Sequence, residues 1–167
     1  MCGITGIINL QNKNKIRNKT INEMVRLINH RGPDSKGVFI NKNVALGNTR
    51  LAIIDLSESG NQPMLDKNKE IVIIYNGEIY NFLELRQLII SKGYIFRSDT
   101  DTEVVLNSYL EWGIDCIKKF NGMFSFCIHD VNKNVTFLVR DRLGIKPLYY
   151  SEYDGKLIFG SEIKTIL

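Results

Sequence analysis

Histidine is scarce in this sequence. Two in 167 residues, His30 and His129, with no Cys-x-x-Cys pair, give no framework for a zinc site, and no metal is assigned. Cysteine is scarce too. Cys2, Cys116 and Cys127 are an odd number without paired spacing, which argues against a disulfide scaffold and for a reducing cytoplasm. No apolar run approaches the length of a membrane span, so no membrane partner is expected. The short apolar stretch at the N-terminus lacks the basic lead-in of a signal peptide. Neither sign of charge dominates: 22 Lys and Arg against 18 Asp and Glu leave +4. The one weak basic cluster, Lys13, Lys15, Arg17 and Lys19, has no aromatic RNA-binding motif beside it and reads as a solvated loop rather than a nucleic-acid site.

What remains is a chain of one-domain length with 44% hydrophobic and 10% aromatic residues, enough for a packed core. Residues 2–10 read as a strand, and residues 11–19 as a polar loop. Thr20-x-x-Glu23 reads as a capping box for a helix over 21–29, which stops before the breakers of Arg31-Gly32-Pro33-Asp34. Short strands are expected at 37–40, 44–48 and 51–55. A β-branched strand is expected at 70–75, turned at its end by Asn76-Gly77. Asn81-x-x-Glu84 caps a helix to about Lys92, with Leu85, Leu88 and Ile89 inward and Gly93 at its C-terminal end. Thr100-x-x-Glu103 caps another, with Val104, Val105, Leu106 and Tyr109 inward, and a short helix follows around Ile114–Phe120. Residues 123–130, 135–141, 148–153 and 156–161 alternate with turns and predict an antiparallel meander. Glu162–Leu167 resemble the first turn of a further helix. The class is α+β, with antiparallel sheets covered by helices. Cys116 and Cys127 fall in apolar patterns and read as small core residues.

Four features carry chemistry. Cys2 follows a methionine that aminopeptidases remove when the next side chain is small. A chain starting at Cys2 holds a thiol and an α-amine on one carbon, with reference pKa values near ~8.5 and ~8, so nucleophile and general base share one residue. Gly3 would let a substrate come close. Asn76 and the Gly77 backbone N–H, straight after the apolar strand, can form an oxyanion hole, with Glu78 beside them. Arg50, at the mouth of Leu51-Ala52-Ile53-Ile54, can clamp a carboxylate. Asp99 and Asp101 in Ser98-Asp99-Thr100-Asp101-Thr102-Glu103 can hold an ammonium. Each feature has a plainer reading: a strand start, an Asn-Gly turn, a surface arginine, a helix cap. Together they list the parts needed to bind an α-amino acid and attack its side-chain carbonyl.

These segments also resemble a known family. M-C-G-I at the start, H-R-G-P-D at 30–34, R-L-A-I-I-D at 50–55, N-Q-P-M at 61–64, Y-N-G-E-I-Y-N at 75–81, S-D-T-D-T-E at 98–103, R-D-R-L-G-I-K-P-L-Y-Y at 140–150 and F-G-S-E-I-K at 159–164 run in order through nearly the whole chain. They resemble the glutaminase half of glutamine-hydrolysing asparagine synthetases, which are class II, N-terminal-nucleophile (Ntn) glutamine amidotransferases. The resemblance implies a four-layer αββα sandwich of two antiparallel sheets between helical layers. It implies Cys2 as nucleophile, Asn76 and Gly77 as oxyanion hole, Arg50 on the glutamine α-carboxylate, and Glu78 and Asp101 on the α-ammonium. The backbone of Leu51, Ala52, Ile53 and Ile54 would form one pocket wall. Of the two aspartates, Asp101 matches the family spacing better. L-glutamine is the implied substrate.

The family also carries a second domain that binds ATP through a Ser-Gly-Gly-x-Asp-Ser loop, which this sequence does not contain. The expectation is a glutaminase domain over residues 1–161 and the start of a connection to a missing C-terminal synthetase domain over 162–167. No cofactor is expected in this domain; ATP and Mg would belong to the missing one. The resemblance also admits a homodimer. A different class of reading is a catalytically silent docking or regulatory module of the same fold. His30, Asp34, Lys146 and Tyr149 are read as loop structure or domain packing, and the ammonia acceptor, aspartate or another carboxylate, stays open.

Overall fold

The computed structural model describes residues 1–11 and 15–167; Lys13 of the basic cluster, with Asn12 and Asn14, lies outside the described residues. Among the described residues nine strands form two antiparallel sheets. The first contains β1 (Gly3–Asn9), β2 (Ser35–Asn41), β3 (Val44–Arg50), β8 (Tyr149–Tyr153) and β9 (Lys156–Gly160), in the order β2-β3-β1-β9-β8. The second contains β4 (Met64–Leu65), β5 (Ile71–Ile79), β6 (Gly122–Asp130) and β7 (Val135–Arg140), in the order β4-β5-β6-β7. The helices are α1 (Asn18–Leu27), α2 (Phe82–Ser91) and α3 (Asp101–Trp112).

Three apolar clusters fill the gaps between four layers. Ile21 and Met24 of α1 pack with Ile7 and Ala45 on the outer face of the first sheet. Ile4, Leu46, Val72, Ile74, Cys127 and Phe159 meet between the sheets. Ile73, Tyr75, Phe126 and Ile128 pack under Leu85, Ile89, Val105 and Tyr109 of α2 and α3. Period-two alternation produces this: even-numbered residues of β5 face the other sheet and odd-numbered ones face the helices. The result is the expected four-layer αββα sandwich. Cys116 and Cys127 are fully buried, and burial pushes the Cys116 thiol up to about 12.

Several local expectations need correction. Asn76-Gly77 does not turn the chain. β5 runs on to Ile79 because β6 pairs with it throughout, Asn76 opposite Ser125 and Gly77 opposite Phe124. Residues 51–55 are not a strand: Ile53 is exposed, and the segment is a loop held by side-chain bonds rather than a ladder. α1 begins at Asn18, so Thr20 lies inside the helix and forms no cap. Asn81 makes no capping bond, because its amide bridges Lys119 O and Asn121 N at 3.0 Å each. Leu88 is exposed while Leu85 and Ile89 are buried. The predicted meander is two hairpins in different sheets, β6-β7 and β8-β9. Thr100 does cap α3, accepting the Glu103 N–H.

Candidate active site

At one end of the inter-sheet layer the side chains change from apolar to polar. In β1 the row of Ile4 extends back to Cys2. In β3 the row of Val44 and Leu46 continues to Asn48 and Arg50. In β5 the row of Val72 and Ile74 continues to Asn76. A cleft of about 320 Å³ opens there. Its walls include Cys2, Arg50, Leu51, Ile53, Ile54, Asn76, Gly77, Glu78 and Asp101. Of the residues expected at the site, only Ala52 is not in the wall. Its N–H donates to Asp34 Oδ2 at 2.8 Å, which fixes the turn of the loop instead.

The Cys2 thiol is only partly buried and sits on the backbone of Leu51. The Leu51 N–H donates to Sγ at 3.4 Å, and Sγ lies 3.7 Å from the Leu51 carbonyl. Gly3 does not open room for substrate, as the sequence suggested. It is buried, and a Cβ there would meet Thr49 Oγ1 at 2.8 Å and Ile28 Cδ1 at 3.0 Å. Its lack of a side chain serves the close packing of β1 on its neighbours.

The direction of the β5 amides decides which donors are left free at the cleft. Even-numbered residues bond to β6: Val131 N donates to Glu70 O, and Tyr80 N to Asn121 O. Odd-numbered ones point to the other edge. The Ile71 N–H donates to Asp66 Oδ1, that of Tyr75 to Gln62 Oε1 at 2.6 Å, and that of Ile79 to Asp101 Oδ2 at 3.0 Å. Between these last two, the Gly77 N–H has no acceptor among the described residues, and it borders the cleft. The buried Asn76 Nδ2 has no partner either. Two unpaired donors in one wall are an incomplete hydrogen-bond inventory that a ligand oxygen would complete. Gly77 is required here, since a Cβ would lie 2.6 Å from Met123 O and 2.7 Å from Phe124 Cβ, driving β5 off β6.

Arg50 is buried, and its guanidinium organises the loop after β3. Nη1 donates to Ser57 O at 2.8 Å and Asn61 Oδ1 at 3.0 Å, and Nη2 donates to Asp55 O. A guanidinium has five N–H donors, so two remain, the number that a carboxylate takes in a bidentate pair. The Asp55 side chain is held down to about 2, chiefly by hydrogen bonding from the Ser57 side chain and then by the Asp99 and Ser57 N–H groups.

Asp101, the first residue of α3, is buried. Its Oδ2 accepts from Tyr75 Oη at 2.6 Å and from Ile79 N. Burial raises the Asp101 carboxyl above its ordinary range, against the lowering effect of those bonds. Glu78 is exposed in the same wall and makes no ion pair among the described residues. Two carboxylates and a guanidinium lining one cleft suit a zwitterion. Asp99 is elsewhere: its side chain is 84% exposed and pairs with Arg86 at 3.2 Å. Among the described residues no group of three His, Cys, Asp or Glu could hold a metal ion.

The wall residues that the sequence did not mark out include Gln62, Tyr75 and Lys146. Gln62 is buried, capping Tyr75 N and reaching Thr102 Oγ1 at 3.3 Å. Tyr75 orients Asp101. Lys146, read as loop or packing, is 94% buried and lines the cleft, with its Nζ 3.2 Å from Met1 Sδ. Its loop is fixed by Asp141, whose carboxylate accepts from Phe124, Leu143, Ile145 and Lys146 N–H groups. A lysine inside the apolar run Leu-Gly-Ile-Lys-Pro-Leu was the one available signal.

The sandwich with a cysteine at the head of its first strand defines the class, an Ntn-hydrolase fold. A solved structure agrees. Glutamine phosphoribosylpyrophosphate amidotransferase from Bacillus subtilis superposes with a TM-score of 0.83 over 99% of this chain and 43% of its own, at 19% identity, and shares the fold. The family is narrower: the model for the glutamine amidotransferase domain matches residues 1–167, and the chain belongs to that family. It is 47% identical to a Methanocaldococcus jannaschii protein named as a glutamine-hydrolysing asparagine synthetase, covering all of this chain and 35% of that one. It is 42% identical to asparagine synthetase [glutamine-hydrolyzing] 3 of Bacillus subtilis, covering all of this chain and 27% of that one. The chain thus spans about a quarter to a third of the length of these relatives. No helix among the described residues is long and apolar enough to cross a membrane.

Proposed function

We propose that this domain, once Met1 is removed, hydrolyses L-glutamine to glutamate and ammonia through Cys2. The observation that carries the reading is the meeting in one cleft of the thiol, two unpaired oxyanion donors, two spare Arg50 donors and the carboxylates of Glu78 and Asp101. Arg50 takes the α-carboxylate, and Glu78 with Asp101 takes the α-ammonium. That sets the length of side chain whose carbonyl reaches Sγ. The thiol gives its proton to the Cys2 α-amine and attacks the carboxamide carbon. Asn76 Nδ2 and Gly77 N–H hold the developing oxyanion. The amine returns the proton to the leaving ammonia, a γ-glutamyl thioester remains, and water releases glutamate.

The relatives' names support asparagine synthesis as the use of the ammonia, with ATP and Mg bound by a second domain and none needed in this one. Aspartate is then the acceptor. Free thiols in the core suit a reducing cytoplasm.

Glutamate release by the chain starting at Cys2, set against Cys2→Ala, tests the reading. Loss of release in Cys2→Ala with an unchanged fold supports it. Equal release from both overturns the role of Cys2, and no release from either protein with Met1 confirmed absent overturns the reading in favour of a silent docking module.

A further inference from the structure

Arg31, in the turn after α1, reaches the nucleophile from behind. Its Nε donates to the Cys2 carbonyl at 3.0 Å, and its Nη1 donates to Glu162 Oε1 at 3.1 Å. Glu162, just past β9, also takes His30 Nε2 on Oε1 at 2.8 Å and Lys164 Nζ on Oε2 at 2.9 Å. The neighbouring Ser161 accepts the Ile4 N–H on its hydroxyl at 3.0 Å and donates its own N–H to Ile4 O at 2.8 Å. Residues 161–162 therefore brace both the start of β1 and the cation on Cys2. Among the described residues, Glu162 is the only acid paired with Arg31, whose Nη2 is buried without a partner.

This arrangement matters most after processing. A residue inside a chain is oriented by peptides on both sides. A chain starting at Cys2 has none upstream, and its sheet pairing begins at Gly3 opposite Thr49. The Cys2 carbon carrying thiol and amine is then oriented by two contacts, Leu51 on the sulfur and Arg31 on the carbonyl. Arg31 keeps its place only while its other nitrogen is anchored.

We infer that Glu162 is a positioning residue for the Cys2 nucleophile, acting through Arg31. This rests on the glutaminase reading above. Residues 162–165 belong to the working domain, so a boundary at residue 161 would cut the anchor away. Glu162 touches no cleft residue that binds glutamine, so its loss changes the chemical step and spares substrate binding. A misplacement of about 1 Å at a reacting group costs on the order of a hundredfold.

The test uses Glu162→Ala, Glu162→Gln, Arg31→Ala and the double variant, each with Met1 removed and thermal unfolding recorded. Expected is a fall in kcat of about ten- to a hundredfold for Glu162→Ala, with KM for glutamine within about threefold. Glu162→Gln, which keeps an acceptor for Arg31, recovers part of the loss. The double variant is no slower than Arg31→Ala, the coupling expected of residues in one chain of contacts. Fully additive losses, a change confined to KM, or undiminished kcat in folded Glu162→Ala overturns the inference.

A second readout separates this idea from the glutaminase reading. The alkylation rate of Cys2 by iodoacetamide, followed by intact mass, needs no turnover, and Cys116 and Cys127 are buried. If the native chain hydrolyses no glutamine, the glutaminase reading fails alone. A Cys2 alkylation rate altered at least about threefold in Glu162→Ala still supports the anchor, and an unaltered rate overturns it.

Discussion

Replacing Tyr75 by Phe removes one hydroxyl and leaves the ring packed on Phe126. That hydroxyl donates to Asp101 Oδ2 at 2.6 Å in a setting where both side chains are buried. A buried hydrogen bond to a charged group contributes about 1.5–3 kcal/mol. For a domain of this size about 2–4 °C of Tm accompanies each kcal/mol, so the loss is roughly 3–12 °C. The effect also depends on pH. Burial already raises Asp101 above its ordinary range, and the Tyr75 bond opposes that rise. Without the bond the carboxyl goes higher still. A carboxyl raised in the folded state makes folding bind protons, so its contribution to stability is greatest below the unfolded value and declines as pH climbs through the folded one. The deficit of Tyr75→Phe is therefore small in acid and complete at neutral pH. The same shift moves glutamine binding, since the ammonium needs Asp101 ionised: the acid limb of 1/KM moves to higher pH. Thermal unfolding in acid and at neutral pH, with KM measured across that range, checks both. An unchanged Tm at neutral pH, or a deficit that ignores pH, would refute the assignment of Tyr75 as the group holding Asp101 charged.

Three other substitutions test which residues belong to that wall. Asn76→Ala removes an oxyanion donor and should lower kcat by roughly 10²–10³-fold with a much smaller change in KM, read by steady-state glutamate release. Asp99→Ala and Asp101→Asn separate the two aspartates. The first should leave KM for glutamine unchanged and stability within about 0.5 kcal/mol, because Asp99 is a surface partner of Arg86. The second should raise KM sharply, because it removes a charge from the cleft wall.

The layers of the fold were legible because they rest on periodicity. Ile71–Tyr75 alternate between two cores, and Val104, Val105, Leu106 and Tyr109 pack as their helical spacing indicates. What failed was local chemistry overruled by tertiary pairing. Asn-Gly is a turn signal in isolation, yet nine residues of β6 hold β5 extended through it. Leu51–Asp55 has strand composition, but Arg50 and Asp34 bond its surroundings into a loop under the thiol. That Cys2, Arg50, Asn76, Gly77, Glu78 and Asp101 would share one cleft was legible because the resemblance grouped them around one implied substrate. Gln62, Tyr75, Lys146 and the Arg31–Glu162 link were not. Their side chains make contacts across 13 positions from Gln62 to Tyr75, 131 from Arg31 to Glu162 and 145 from Lys146 to Met1, which no local pattern encodes.

The central claim is that a chain beginning at Cys2 attacks glutamine with its own terminal residue. Intact-mass analysis of acid-quenched mixtures with glutamine addresses it directly, read alongside glutamate release. The account predicts one γ-glutamyl adduct on the N-terminal peptide of the chain starting at Cys2, and no adduct on Cys2→Ala or on the chain that keeps Met1. Glutamate release that persists in Cys2→Ala, or an equal adduct with Met1 in place, would contradict it.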